Sequence, residues 1–273
     1  MNRSILITGA SGSIGGKLAA HFRQSSCPDL RLLSRSTRGD PGVIVADLSC
    51  WDDRWVEHFA GVDTVIHMAA DPSSRASWES VQRLNIDLTL NVLEAARQHH
   101  VRRVVFGSSN WVMTGYRFTT ERLTTDLPPW PINPYGHSKL FGERAGRSLA
   151  ARTGISFIAF RIGWCQREPG NRPGPHMAQG TWGQQMWLSD RDLCQAMERA
   201  VVVDDVPFAV LNLMSDNPGM RWDIETTRKT IGYQPRDGHT AVVDEQMRRN
   251  EEAVQRTRVL ARELEQFAMV QGW

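Results

Sequence analysis

Several features are missing from this chain of 273 residues, and each absence removes a class of protein. Only four cysteines occur, Cys27, Cys50, Cys165 and Cys194, scattered without metal-ligand spacing. They read as reduced thiols of a cytoplasmic protein, with no disulfide framework and no metal. No run of about 18 apolar residues is present, nor a basic segment followed by a short apolar one, so neither a membrane span nor a signal peptide is expected. A large excess of positive charge is lacking too: the formal net charge is +2. That gives no basic footprint for nucleic acid. Internal repeats and low-complexity linkers are absent. What remains is a chain with 41% hydrophobic content, enough to bury a full core.

The first strand-like run, Ser4 to Ile7, meets Thr8-Gly9-Ala10-Ser11-Gly12-Ser13-Ile14-Gly15 and then a helical pattern through Leu18, Ala19 and Phe22. Strand, glycine turn and helix in that order form a dinucleotide-binding signature. Gly9 permits the tight turn, Gly12 lets backbone approach a pyrophosphate, and Gly15 allows close helix–strand packing. The helix N-terminus adds N–H donors and partial positive charge.

Short apolar runs then alternate with helical patterns: strands at 30–33, 43–46, 64–67, 103–106 and 156–160, with helices near 52–60 and 78–99 between them. Six such strands with intervening helices predict an α/β fold, a Rossmann-type doubly wound parallel sheet with a small C-terminal substrate-binding part. The expected division is 1–162 for dinucleotide binding and 163–273 for a smaller cap. Ligands should gather at the carboxyl ends of the strands. There the sequence places Met68-Ala69-Ala70, small enough for a flat ring to pass, and Gly107-Ser108-Ser109-Asn110.

Asn133-Pro134 starts a helix whose first turn is Tyr135-Gly136-His137-Ser138-Lys139. Tyr135 and Lys139, four apart, share one helix face. An ammonium beside a phenol favours the phenolate, and the pair can then act as a general base. Ser108 or Ser109 could hydrogen-bond the same substrate oxygen. Asn85, mildly unfavourable in its helical pattern, reads equally as an exposed residue or a structural one near the site.

The glycine string, Asp47-Leu48, His67 to Ala70, Asn85, Ser108-Ser109, Tyr135-x-x-x-Lys139 and Gly232-Tyr233-Gln234-Pro235 resemble the extended short-chain dehydrogenase/reductase superfamily over roughly residues 4–236. Phe106 to Asn110, Thr120 to Leu123, Arg161-Ile162-Gly163 and Glu168 to Asn171 look like the uronate dehydrogenases within it. That resemblance implies oxidation of the C1 hydroxyl of a sugar acid, with Ser109, Tyr135 and Lys139 as the catalytic trio. It also implies cofactor contacts from Ser11, Ser13, Ile14, Leu48, Ala69, Ala70, Asn85 and Ile162, with Asp47 at the adenine. Ser109 and Asn110 would hold sugar hydroxyls.

The chain departs from the subgroup in three places. Trp111 follows the Ser-Asn pair where histidine is usual, and Trp164 follows Arg-Ile-Gly where serine is usual. Pro173 stands where a carboxylate-gripping arginine is expected, with Arg172 one place earlier and an inserted stretch to about Met186. Trp111 and Trp164 are therefore read as pocket walls that stack on a sugar, and Arg172, with Arg167 on the same loop, as the anion partner. His176 is also on that loop.

At the end of the second strand, Ser34-Arg35 replaces the acidic residue that would bind a ribose diol. A hydroxyl and a guanidinium suit a 2′-phosphate, so NADP is favoured over NAD. The remaining expectations are a helix starting at Ser189, a strand at 209–213 and a charged amphipathic helix over about 243–267. The partner is a small carbohydrate, and homo-oligomerisation is left open. Two rivals remain: a sugar epimerase of the same superfamily and a non-catalytic dinucleotide sensor. Dehydration is disfavoured, because Asn110-Trp111 stand where dehydratases carry an acid–base carboxylate pair.

Overall fold

The computed structural model describes residues 3–25, 27, 29–166 and 170–270, with side chains as far as residue 258. Among these, seven strands form one sheet: β1 (Ile5–Thr8), β2 (Leu30–Ser34), β3 (Val43–Val45), β4 (Thr64–His67), β5 (Arg103–Ser109), β6 (Ser156–Ile162) and β7 (Phe208–Leu213). Their order is β3-β2-β1-β4-β5-β6-β7, and every pairing is parallel. The sheet is thus doubly wound and reverses direction beside β1. The strand expected at 209–213 is Phe208–Leu213, and it joins the six others as a seventh by pairing with β6.

The helices are α1 (Ser13–Gln24), α2 (Asp53–Val56), α3 (Trp78–Val81), α4 (Leu88–Gln98), α5 (Pro134–Thr153), α6 (Gly180–Gln185), α7 (Asp190–Val202), α8 (Glu225–Ile231) and α9 (Glu245–Val270). Side chains alternate across the pleat, so Ile5 and Ile7 face a core shared with α1 and α7, while Leu6 faces one shared with α4. Both faces being covered explains why these strands read as unbroken apolar runs. A third, smaller cluster (Val112, Met113, Leu123, Trp182, Met186, Met214, Trp222, Ile224) links the segment after β5 to the C-terminal part.

Two expected helices are modified. The 52–60 segment is α2 followed by a 3₁₀ turn, Glu57–Phe59. The 78–99 segment is α3 and α4 joined by a wide π turn, Gln82–Asp87, which contains Asn85. Single π turns of this kind often mark functional positions. β5 and β6 also run further than read, pairing out to Ser109 and Ile162. Both strands therefore end inside the site. No helix among the described residues is long and apolar enough to cross a membrane.

Candidate active site

At the carboxyl ends of β1, β2, β4, β5 and β6 lies a cavity of about 380 Å³. Its floor is the turn between β1 and α1. Gly9 adopts φ +67°, and a Cβ there would lie 2.7 Å from the Ala69 backbone nitrogen. At Gly15 a Cβ would come within 2.1 Å of the Gly9 carbonyl. Only glycine fits these two positions, as the spacing required. Gly12, Ser11, Ser13 and Ile14 line the same floor. The Ser13 hydroxyl is buried at the start of α1 without a protein partner. An orphaned donor beside free N–H groups is what a pyrophosphate would satisfy, so the residues present fit a dinucleotide.

One end of the cavity is formed by Ser34, Arg35, Ser36 and Arg38. The Ser34 hydroxyl meets that of Ser11 at 2.7 Å. Ser36 and Arg38 were missed in the sequence, although they stand within four residues of Ser34. Arg38 has φ 46°, and its N–H donates to Ser36 Oγ at 3.3 Å, a turn that brings it to the wall. Leu48 lines the cavity, whereas Asp47 does not. The Asp47 carboxylate accepts from Ser49 N and Oγ at 3.0 and 2.7 Å. Desolvation pushes its pKa upward, but those hydrogen bonds and the charges of Arg35 and Arg83 outweigh it and hold it below the usual value.

The opposite end contains Met68, Ala69, Ala70, Gly107, Ser108, Tyr135, Lys139 and Ile162. Tyr135 and Lys139 project from the first turns of α5. Asn133 caps that helix, its Oδ1 accepting from Gly136 N at 2.8 Å. Gly136 is required because a Cβ would lie 2.6 Å from the Trp111 carbonyl. Ser109 lies where its hydroxyl acts on the Tyr135 phenol, in the direction that lowers its pKa. Ser109 Oγ also accepts from Trp111 N at 3.2 Å. Its neighbour Ser108 instead donates to Glu143 at 2.6 Å. The two serines are thus separated by partner: Ser108 is committed to Glu143, and Ser109 is the one that acts on the phenol.

The expected electrostatics differ. Burial pushes the Tyr135 phenol above its ordinary value; Ser109 works against this and the Asp71 carboxylate adds to it. The Lys139 ammonium, 5.8 Å from the Tyr135 ring centroid and 5.1 Å from that of Phe106, is itself lowered to about 8 by burial. A dry enclosure disfavours both charged forms, and desolvation wins over the mutual help expected from spacing alone.

Asn85 is not on the cavity wall. Its Oδ1 accepts from Asp71 N at 2.7 Å, and its Nδ2 donates to Ser138 Oγ at 2.9 Å. It ties the loop after β4 to α5. Asn110 is similarly committed, donating to the Ile162 carbonyl at 3.0 Å. Trp164 is half-buried and forms a parallel bridge with Trp187, its N–H reaching Met186 O at 2.6 Å. That bridge closes the inserted stretch, inside which α6 forms. Trp111 is also half-buried, and Arg172 is exposed. Arg167 lies outside the described residues. Among the described residues no cluster of histidine, cysteine or carboxylate side chains could hold a metal ion.

The sequence matches the model of the NAD dependent epimerase/dehydratase family over residues 5–164. It is 34% identical over 255 residues to L-arabinose 1-dehydrogenase (NAD(P)(+)) of Haloferax volcanii, covering 88% of this chain and 99% of that protein. To a uronate dehydrogenase of Pseudomonas syringae pv. tomato it is 34% identical over 239 residues, covering 85% and 82%. A solved structure of a mutated uronate dehydrogenase superposes with a TM-score of 0.75 at 30% identity, over 87% of this chain and 83% of that one. With the doubly wound sheet, the glycine turn and the Tyr/Lys pair in place, the chain belongs to the NAD dependent epimerase/dehydratase family.

Proposed function

We propose that this protein is an NAD(P)-dependent sugar dehydrogenase that oxidises the C1 hydroxyl of a sugar acid, with NADP as the preferred cofactor. The observation that carries the reading is the placement of Tyr135 and Lys139 on the wall of the cavity whose floor is the glycine turn, with Ser109 acting on the phenol. Sugar dehydrogenases among its relatives, aligned over most of both chains, support the same class.

Ser109 would hold the reacting oxygen by hydrogen bonding, and Tyr135, as phenolate, would accept the hydroxyl proton. Lys139 would bind the nicotinamide ribose and supply the positive charge that makes the phenolate attainable. When bound, the nicotinamide cofactor supplies the acceptor for the hydride leaving the substrate carbon. Ser13 and the α1 N-terminus would hold the pyrophosphate, and Arg35 with Arg38 the adenosine 2′-phosphate. Residues 163–273 would form the substrate-binding part, with Trp111 and Trp164 against the ring and Arg172 toward a negative group at C6.

The test is a substrate panel of glucuronate, galacturonate, arabinose, glucose 6-phosphate and glucose with each cofactor, followed by absorbance of the reduced nicotinamide. Turnover of the acids above the neutral sugars is expected. Arg172→Ala should raise KM for the acids tenfold to a hundredfold, about 1.5–3 kcal/mol. Absence of reduced cofactor with every sugar would refute the dehydrogenase. Equal use of neutral sugars with a silent Arg172→Ala would refute the anionic substrate alone.

A further inference from the structure

Glu143 and Arg161 play no part in the reading above, yet they lie directly behind it. α5 carries Tyr135, Lys139 and Glu143 at intervals of four, which stacks all three on one helix face. A lysine and a glutamate one turn apart are within ordinary reach of an ion pair. In a dry interior that attraction is stronger than on a surface. Nevertheless, among the described residues no carboxylate pairs with Lys139. Both oxygens of Glu143 are engaged by Arg161, Nε at 3.0 Å and Nη2 at 2.9 Å, and Ser108 Oγ adds a third bond at 2.6 Å. Glu143 and Arg161 are both buried, 3% and 2% exposed. The remaining Arg161 nitrogen, Nη1, faces the Met113 sulfur at 3.2 Å.

We infer that Arg161 is a positioning residue of the active site, which withholds the Glu143 carboxylate from Lys139 and so leaves the lysine ammonium unpaired beside Tyr135. A planar guanidinium meets a carboxylate through two parallel bonds, which an ammonium cannot match. The inference rests on the role given to Lys139, but its test does not require turnover.

The groups facing Lys139 are few. On its own helix they are Tyr135 and Glu143, from β5 comes the Phe106 ring, from β4 comes His67, and Asp71 acts on Tyr135 from the following loop. His67 stays neutral down to about 3, and burial keeps the phenol protonated above its ordinary value. Lys139 therefore titrates alone across the neutral and mildly alkaline range.

The whole chain contains three lysines, Lys17, Lys139 and Lys229. Lysine labelled with ¹³C at Cε gives three NMR signals, and Lys139→Met identifies the one of interest. In the unmutated chain its midpoint should fall near 8. In Arg161→Met the freed carboxylate turns to Lys139, and the midpoint should rise by about one unit or more. In Glu143→Gln the guanidinium stands uncompensated, and the midpoint should fall. The double variant should return to the original value. Mere loosening of the site would admit water and raise the midpoint in all three. A folded Arg161→Met protein with an unmoved midpoint overturns the inference, and so does a rise in Glu143→Gln. If Arg161→Met does not fold, Glu143→Gln and the double variant decide the matter. Shifts as expected, in a protein inactive on every sugar, would leave this inference standing and overturn the dehydrogenase reading instead.

Discussion

The hydroxyls of Ser11 and Ser34 lie 2.7 Å apart and tie the glycine turn to the end of β2. The glycine turn and the end of β2, proposed to hold the pyrophosphate and the adenosine of the cofactor, are therefore one hydrogen bond from each other. Replacing Ser34 by Asp keeps an acceptor for Ser11 but sets a carboxylate where a 2′-phosphate would lie. NADP affinity should drop by about 2–4 kcal/mol through repulsion and lost charge-assisted bonding, while NAD binding holds or improves. Arg35→Ala and Arg38→Ala should each weaken NADP without weakening NAD. Fluorescence titration with the two reduced cofactors measures this, and equal losses for both would show that this end does not select.

Removal of one oxygen tests the base. Tyr135→Phe should abolish turnover and leave cofactor affinity almost unchanged, because the ring still fills its buried place on α5. Steady-state rates together with cofactor binding decide it. More than about a tenth of the original rate would rule out the phenol as the proton acceptor.

Lys139 should trade stability for function. Its pKa in the fold is about 8 against an ordinary 10.5. The folded chain thus binds fewer protons than the unfolded one between those values, so stability rises with pH across that window. Below 8 the buried ammonium carries its full cost. Lys139→Met should be inactive yet more stable at pH 7, by on the order of 2–3 kcal/mol, with the gain shrinking as pH approaches 10.5. Denaturant unfolding at pH 7 and pH 10 reads both ends. A variant less stable at pH 7 would contradict the account.

His67 contributes to the acid side, fully buried between Thr8 Oγ1 at 2.7 Å and Thr89 Oγ1 at 3.1 Å. Burial, with the Lys139 charge, lowers it to about 3 from 6.5. Below 6.5 the unfolded chain takes up a proton that the fold refuses, so stability falls as pH drops toward 3. By pH 5 this residue alone should have removed about 2 kcal/mol. In His67→Gln the amide can still bridge the two threonines, and the loss between pH 7 and pH 5 should shrink by that amount in urea unfolding.

The sequence alone determined what depends on local chemistry. Gly9 and Gly15 had to be glycine, because their positions admit no Cβ, and that requirement is written in the spacing itself. The alternation of short apolar strands with helices fixed a parallel doubly wound sheet, since both faces must be covered. Tyr135 and Lys139 share a face because the helix repeats every 3.6 residues. Tertiary structure alone decided what depends on burial and on partners distant in sequence. Arg38 reaches the cavity wall beside Ser34 through a left-handed turn that no periodicity announces. Asn85 donates to Ser138 and Asn110 to the Ile162 carbonyl, 53 and 52 residues away in sequence. The Tyr135 phenol is pushed up and the Lys139 ammonium down, because desolvation is a property of the packed environment. For the same reason a sequence could not reveal that Glu143, one turn beyond Lys139 on α5, belongs to Arg161 on β6.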